Sequence, residues 1–360
     1  MTRIAPCRLS VLLITLGDPD TPTGGYLYHR RLAELAPRHG ARLMFGSFPA
    51  WPFPFPVLAG PRLLRSLSRR RPDVTVLDSI AAAFLAPWLP AVRGPVVAML
   101  HQPPGGIDYG PLRRNAQAVL DRAAYRRARR VLVASQLLAD QLGAQGFGGK
   151  LGVVAPGRDA APAPSGPERN LRGSARAALL CVGNWVPRKG ILQALDAVAR
   201  LPPGLVRLHL AGNDQADPRY AARVVRRLAR DDLAGRVECH GQLGRAEVAA
   251  LYRDADIFVL PSVREPYGTV YGEAMAAGLP VVGWRAGNLP HLADHGRESL
   301  LAEPGDVTGL ASALRDLAED GQLRDRLGTA ARRRAASFPT WEQTAARFFT
   351  QAREAAGLQP

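Results

Sequence analysis

Lysine is almost missing from this chain: Lys150 and Lys189 are the only two, and every other basic residue among the 47 is an arginine. Acidic residues number 31, which leaves a formal charge of +16. Such a balance invites nucleic acid or an anionic membrane as partner. The arginines are scattered, however, and no basic motif interleaved with aromatics occurs, so nucleic acid is not indicated. Beside the abundant Ala, Gly and Pro, the arginine excess reads as a composition bias rather than a binding face. Cysteine is scarce too. Cys7, Cys181 and Cys239 are odd in number, far apart and free of any C-x-x-C, which signals neither a disulfide framework nor zinc. A reducing cytoplasm is the expected setting.

Long apolar runs are also lacking. A membrane span needs ~20 such residues, and the closest stretch, "IAAAFLAPWLPAV", is short and broken by prolines. "LSVLLITLG" follows Arg3 and Arg8 but is too short for a signal segment with a cleavage site, and reads as a first buried strand. With 360 residues the chain suits two domains of ordinary size.

What is present is an alternation of short apolar runs with helix-length segments, the pattern of parallel α/β sheets. In the first half strands are expected at Leu9–Leu16, Arg42–Phe45, Val74–Leu77, Val96–Leu100, Val131–Val133 and Val153–Val154. Helices are expected at Tyr26–Arg38 and Pro111–Arg129. "PGRDAAPAPSGPERNLRGSARA" has no periodicity and reads as a linker. The alternation then restarts at Ala178–Val182, Val206–Ala211, Val237–Cys239, Ile257–Leu260 and Val281–Gly283, with helices over Lys189–Leu201, Pro218–Arg230, Gly244–Tyr252 and Gly268–Ala277. Three helical stretches end the chain. The division is therefore residues 1–160, a linker over 161–176, a second domain over 177–338 and a terminal helix over 339–360 that returns to the first domain.

The densest chemistry lies in "VREPYGTVYGEAMAAGLPVV", directly after the apolar strand "ADIFVLPS". A loop between a strand's C-terminal end and a helix's N-terminus is where backbone N–H groups and the helix dipole receive anions. Gly268 lets a ligand approach the backbone. Glu265 and Glu273 flank that position, and eight residues at a helical rise of ~1.5 Å span roughly 12 Å. Carboxylates accept from sugar hydroxyls but repel phosphate, so the pair suggests a sugar–diphosphate–ribose ligand. A dipole-balancing helix-start Glu and an ordinary surface Glu would explain the spacing equally. A second site shifts the balance: "LLCVGNWVPRKGILQALDAV" places Arg188 and Lys189 after another strand and glycine-bearing loop. In a chain that uses arginine nearly everywhere, a retained lysine suggests a compact charge aimed at phosphate.

These segments resemble the nucleotide-sugar domain of retaining glycosyltransferases of family four, which have the GT-B fold: two Rossmann-like, doubly wound α/β domains facing across a cleft. The resemblance rests on E-x7-E, here Glu265 to Glu273, followed by "EAMAAGLPVV", and on "VGNWVPRKG", "LHLAGN" and "GNLPHLADHGRESLLAEPGD". In the first half "TPTGGYLYHRRLAELAPRHG", "PVVAMLHQPP", "RVLVASQLLADQL" and "VVAPGRD" extend it over nearly the whole chain.

The resemblance implies that Glu273 holds the ribose hydroxyls and Glu265 those of the donor sugar. Backbone amides of Tyr267, Gly268, Thr269 and Val270 meet sugar and diphosphate, Lys189 neutralises the diphosphate, and Gly24 and Gly25 approach it from the other domain. His101 sits near the reacting carbon. Asn184 stands where many relatives carry an arginine, and Arg188 is the candidate to supply that charge. The implied reaction is a metal-independent, retaining transfer of a hexose-type sugar to an acceptor hydroxyl, with no tightly bound cofactor.

Two D-x-D strings, Asp18 to Asp20 and Asp254 to Asp256, are the residues a metal-dependent transferase would need, but they read as ordinary loop and strand-edge residues. A nicotinamide-dependent oxidoreductase would require G-x-G-x-x-G after the first strand, which is missing. A basic protein that binds membrane or polyanions without catalysis is the remaining alternative. Trp51 to Arg71, with Arg62, Arg65, Arg69, Arg70 and Arg71 beside aromatics, could lie reversibly on the anionic inner face of a cell membrane.

Overall fold

The computed structural model describes residues 9–20, 24–158 and 166–359. The chain divides into two compact units, Met1–Gly157 with Pro339–Pro360, and Arg158–Phe338. In the first unit the elements are β1 (Leu9–Leu16), α1 (Gly24–Leu35), β2 (Ala41–Phe48), α2 (Gly60–Arg70), β3 (Val74–Asp78) and α3 (Ala82–Leu85). They continue with β4 (Val96–Leu100), α4 (Pro111–Arg127), β5 (Arg130–Val133), α5 (Gln136–Leu142) and β6 (Leu151–Val153). The second unit runs β7 (Ala177–Val182), α6 (Ile191–Ala199), β8 (Val206–Ala211), α7 (Pro218–Leu228), β9 (Val237–Gly241) and α8 (Arg245–Asp254). It closes with β10 (Ile257–Val259), α9 (Thr269–Ala277), β11 (Val281–Trp284), α10 (Leu289–Leu292), β12 (Ser299–Ala302), α11 (Val307–Glu319) and α12 (Gly321–Ala336). The last helix, α13 (Trp341–Ala356), belongs to the first unit.

Each unit carries one parallel six-stranded sheet, ordered β2-β1-β3-β4-β5-β6 in the first and β12-β11-β10-β7-β8-β9 in the second. Both are doubly wound α/β sheets. Successive strand residues face opposite sides, so β1 sends Leu12 and Ile14 into one apolar core and Leu9, Val11 and Leu13 into another. The latter core also takes Tyr28 and Leu32 of α1 and Phe348, Phe349 and Ala352 of α13. Burial of these large side chains is what holds the terminal helix in the first unit.

The strand order reverses between β1 and β3 in the first sheet and between β7 and β10 in the second. Doubly wound sheets bind ligands at such switch points, beyond the carboxyl ends of the strands. Of the segment read as a linker, residues 161–165 lie outside the described residues. Residues 166–176 belong to the second unit, where Leu171 is buried in the core. An apolar anchor in a Pro/Gly-rich run explains why composition alone read that stretch as a spacer.

Candidate functional site

In the C-terminal unit the two loops singled out from sequence leave β7 and β10, the strands that flank the switch point. The expected helix from Lys189 begins later. Pro187–Lys189 form a single 3-10 turn, and α6 starts at Ile191 after Gly190. Gly190 has a positive φ of 72°, and a Cβ there would collide with the carbonyl oxygen of Pro261, so only glycine lets the two loops close up. That approach sets Lys189 against Glu265, with Nζ and Oε2 2.6 Å apart and side chains 10% and 13% exposed. The Arg188 guanidinium stands 3.6 Å from the same oxygen and donates to the Arg264 carbonyl at 3.3 Å. The Ser262 hydroxyl donates to the Arg188 carbonyl at 2.9 Å, as does the Val263 N–H. Glu265, Lys189 and Arg188 thus form one cluster.

Glu265 is not on the helix. The segment from Glu265 to Gly268 is irregular, and α9 spans Thr269–Ala277, so a helical rise applies to only half of the interval to Glu273. Gly268 begins the helix at φ 90°, and a Cβ there would press on Tyr271. No side chain caps this N-terminus. The leading N–H groups of Thr269 and Val270, with the positive end of the helix dipole, therefore form an anion-receptive end. Glu273 is exposed one turn on, and its Oε2 accepts from the Tyr252 hydroxyl at 3.2 Å. Burial, reinforced by the Glu273 charge, pushes the Tyr252 phenol well above its usual range, so it remains a donor.

Tyr267 is held through its carbonyl, which accepts from Asn288 Nδ2 at 2.8 Å, while the Asn288 N–H donates to the Glu265 carbonyl at 2.9 Å. Asn288, only 2% exposed, is a bracing residue that sequence reading missed; its place in "GNLP" was quoted only as part of a resemblance. Asn184 is exposed, and its Oδ1 accepts from the Asn213 N–H at 3.3 Å, tying the β7 and β8 loops. Asp254 ends α8 and Asp256 directly precedes β10, so both lie at the end of that strand opposite its ligand-facing loop. Arg253 holds Asp254 at 2.6 Å, and Arg172 and the Ala178 N–H hold Asp256.

In the N-terminal unit α1 starts at Gly24. The preceding residues of the glycine-pair loop, 21–23, lie outside the described residues. A Cβ on Gly25 would stand 3.7 Å from the His101 ring. His101 follows β4, and its N–H donates to Ser79 Oγ at 3.3 Å. Its Nε2 lies 2.9 Å from Nε2 of His29, so one imidazole donates and the other accepts. His29 Nδ1 is 3.7 Å from Asp78 Oδ2 and is a buried nitrogen with no hydrogen bond. Asp78 itself accepts from Thr15 Oγ1 at 2.8 Å and from Ser79 Oγ at 3.2 Å.

Burial lowers His29 to about 3 and, with the His29 charge adding to it and Asp78 opposing it, lowers His101 to about 3 as well. Both rings are neutral at physiological pH. Burial raises Asp78, against its hydrogen bonds and the His101 charge. The sequence singled out His101 alone. His29 is visible in "GGYLYHRR", but nothing local says that it meets a residue 72 positions away.

Residues 176–320 match the family model for glycosyl transferases group 1, and residues 3–157 match that for a glycosyl transferase 4-like domain. The glycogen synthase of Mycobacterium tuberculosis is 35% identical over 204 residues, 54% of this chain and 46% of that protein. The D-inositol 3-phosphate glycosyltransferase of Corynebacterium glutamicum is 31% identical over 210 residues, 55% of this chain and 50% of that protein. The chain thus spans about half the length of the curated relatives it matches. Among solved structures, sucrose-phosphate synthase from Thermosynechococcus elongatus superposes with a TM-score of 0.82 at 20% identity, covering 96% of this chain and 99% of that one. HepE of Anabaena, in complex with UDP and glucose, gives 0.77 at 21%, covering 96% and 100%. These two likenesses show the fold, which is GT-B. The chain thus pairs a glycosyl transferase 4-like domain in its N-terminal unit with a glycosyl transferases group 1 domain in its C-terminal unit.

Proposed function

We propose that the chain is a retaining enzyme that moves a hexose from a nucleoside-diphosphate sugar to an acceptor hydroxyl without an essential metal. The observation that carries this reading is the Lys189–Glu265 pair, 2.6 Å apart and joining the loops after β7 and β10 at the switch point. Beside it α9 offers an uncapped N-terminus, and Glu273 follows one turn on. Phosphate oxygens take the N–H groups of α9 and the lysine ammonium, whose three donors serve Glu265 and the diphosphate together. Glu265 accepts from donor-sugar hydroxyls and Glu273 from ribose hydroxyls. A UDP-glucose complex of HepE, a protein of the same fold, supports a UDP-hexose as the first donor to try.

Glu265 is ion-paired with Lys189 and Arg188, which lowers its nucleophilicity, and the transfer proceeds without a covalent enzyme intermediate. The bond from the anomeric carbon to the diphosphate oxygen breaks, and the acceptor oxygen bonds to the same face of that carbon. The acceptor proton passes to the leaving diphosphate. The protein's part is positioning and stabilisation of the charge that grows on the leaving group. His101, kept neutral in the N-terminal unit, is suited to a hydrogen bond with a sugar or acceptor hydroxyl. The acceptor is an envelope glycan, a glycolipid or a small hydroxyl compound.

Calorimetry with UDP, GDP and their hexose conjugates, followed by NMR of the product with the best donor, tests this. The expected result is a bound nucleotide sugar, a product with the donor's anomeric configuration, and turnover that survives chelator. Inversion at the anomeric carbon, or turnover lost to chelator and restored by manganese, overturns the mechanism. Failure of every nucleotide sugar to bind overturns the function.

A further inference from the structure

We propose that His209, Glu238 and His240 form a binding site for one divalent ion of the zinc class at the edge of the C-terminal sheet. β8 and β9 are parallel neighbours with His209 opposite Glu238, and β9 is the edge strand. The register slips between Leu210 and Ala211, whose partners are Cys239 and Gly241, so His240 is the extra residue of a bulge. Bulges re-aim side chains. This one sets His240 Nε2 3.0 Å from His209 Nδ1, with the rings stacked at 18°. The Glu238 carboxylate lies 3.8 Å from His209 Nδ1 and 3.9 Å from His240 Nδ1. Two ligand atoms at ~2.1 Å from a tetrahedral ion stand roughly 3.4 Å apart. One ligand atom from each of the three lies within 4.8 Å of the others, so side-chain rotation closes the set on one ion.

The protonation of the pair is decided by a third partner. His209 Nε2 lies 2.8 Å from the Leu171 carbonyl, which only accepts, so the proton is on Nε2 and Nδ1 carries a lone pair. A ligating histidine held through its other nitrogen by a backbone carbonyl is the usual arrangement at metal sites. Without an ion, His240 donates Nε2–H to His209 Nδ1. On binding, that proton moves to His240 Nδ1, and no proton is released. Arg207 holds Glu238 Oε2, the oxygen that faces His209, at 2.9 Å, so rotation of the carboxylate is what turns Oε1 to the ion.

Two nitrogens and one carboxylate suit zinc or copper rather than calcium or magnesium, which favour all-oxygen sites. The fourth position falls to water, since Glu238 is exposed at the sheet edge. The ion joins β8 to β9 and, through Leu171, fixes the segment 166–176 on the sheet. It lies between β8, the neighbour of β7, and the edge strand β9, away from the loops after β7 and β10.

The test is Zn2+ titration of the untagged, chelator-stripped full chain by calorimetry, with Co2+ absorption as a second readout. The parent should bind one ion per chain, gain melting temperature with zinc, and give the visible bands of four-coordinate cobalt. His240→Ala and Glu238→Gln change half-buried and exposed edge positions that the fold tolerates. Each should weaken binding by more than the ~10–100-fold that loss of an outer partner costs, and neither should show the cobalt bands. His101→Ala should bind zinc as the parent does, because the N-terminal histidine pair is a separate cluster. No stoichiometric binding in the parent overturns the site, as do undiminished binding in His240→Ala and loss of binding in His101→Ala.

Discussion

At the switch point of the C-terminal sheet charge is displayed, and at that of the N-terminal sheet it is withheld. Lys189, Arg188 and Glu265 form a preassembled ionic cluster beside an uncapped helix end. Across β1, β3 and β4 the groups are two imidazoles held neutral by burial and an aspartate whose ionisation burial opposes. The topological rule is shared and the chemistry is opposite. A leaving diphosphate gains charge as its bond breaks and is helped by fixed cations and dipoles. A sugar or acceptor hydroxyl is neutral and is met by a group that both donates and accepts, which a neutral imidazole does and an imidazolium does not.

The largest expected effect comes from breaking the charged side. Lys189→Ala should cut turnover by about 10²–10³ with much less change in donor affinity, by analogy with loss of a preorganised oxyanion partner. Lys189→Arg should restore only part of this, because a guanidinium differs in size and donor geometry. Turnover equal to the parent in Lys189→Ala would remove the diphosphate role. Glu265→Gln comes next. It should weaken binding of the intact donor by about tenfold or more, the worth of a charge-assisted hydrogen bond, and spare the free nucleoside diphosphate. It should also lower the melting temperature, since Lys189 loses its partner. Glu273→Gln sharpens the division of labour. Both free nucleotide and intact donor should bind roughly tenfold more weakly by calorimetry. Equal loss in the two glutamate variants for both ligands would mean that ribose and sugar are not divided between them.

The uncharged side is tested by acid. His29 and His101 titrate at about 3 in the folded chain against 6.5 when unfolded. The unfolded chain therefore takes up protons that the folded chain refuses, so this stability is full above 6.5 and is lost as pH falls towards 3. Asp78 acts in the opposite sense, its raised value costing stability as pH rises above 3.8. Denaturant unfolding of parent and His29→Gln isolates the histidines. The variant should lose less stability than the parent between pH 6.5 and about 4. Equal losses would mean that the pair is not held neutral.

The smallest expected effect is at the surface of the N-terminal unit. Trp51, Phe55 and Leu58 are 50%, 56% and 67% exposed, close in sequence to the exposed arginines 62, 65, 69 and 70. Sedimentation should show weak, salt-sensitive binding to anionic vesicles and none to neutral ones. Equal binding to both would exclude an electrostatic contact.

The sequence read the strands best where an apolar run is bounded sharply: Leu9–Leu16, Val96–Leu100 and Val206–Ala211 are observed with those bounds. It passed over β12, whose four residues sit between charged turns, and the four-residue helices α3 and α10, because such short elements have too few residues to show a period. Helix ends shifted by a turn where Gly and Pro give the chain other choices, as at Lys189.

The sequence alone determined the alternation that makes two doubly wound sheets and the placing of Glu265, Gly268 and Glu273 after an apolar strand. Those features depend on near neighbours, through periodicity, turn residues and the residues that start a helix. The tertiary structure decided the pairings: Lys189 with Glu265 across 76 positions, and His29 with His101 across 72. It also decided which groups keep their charge. Position along the chain does not set the distance between remote side chains or the solvent removed from them. Strand order does, and it brings β7 beside β10 and β3 beside β4.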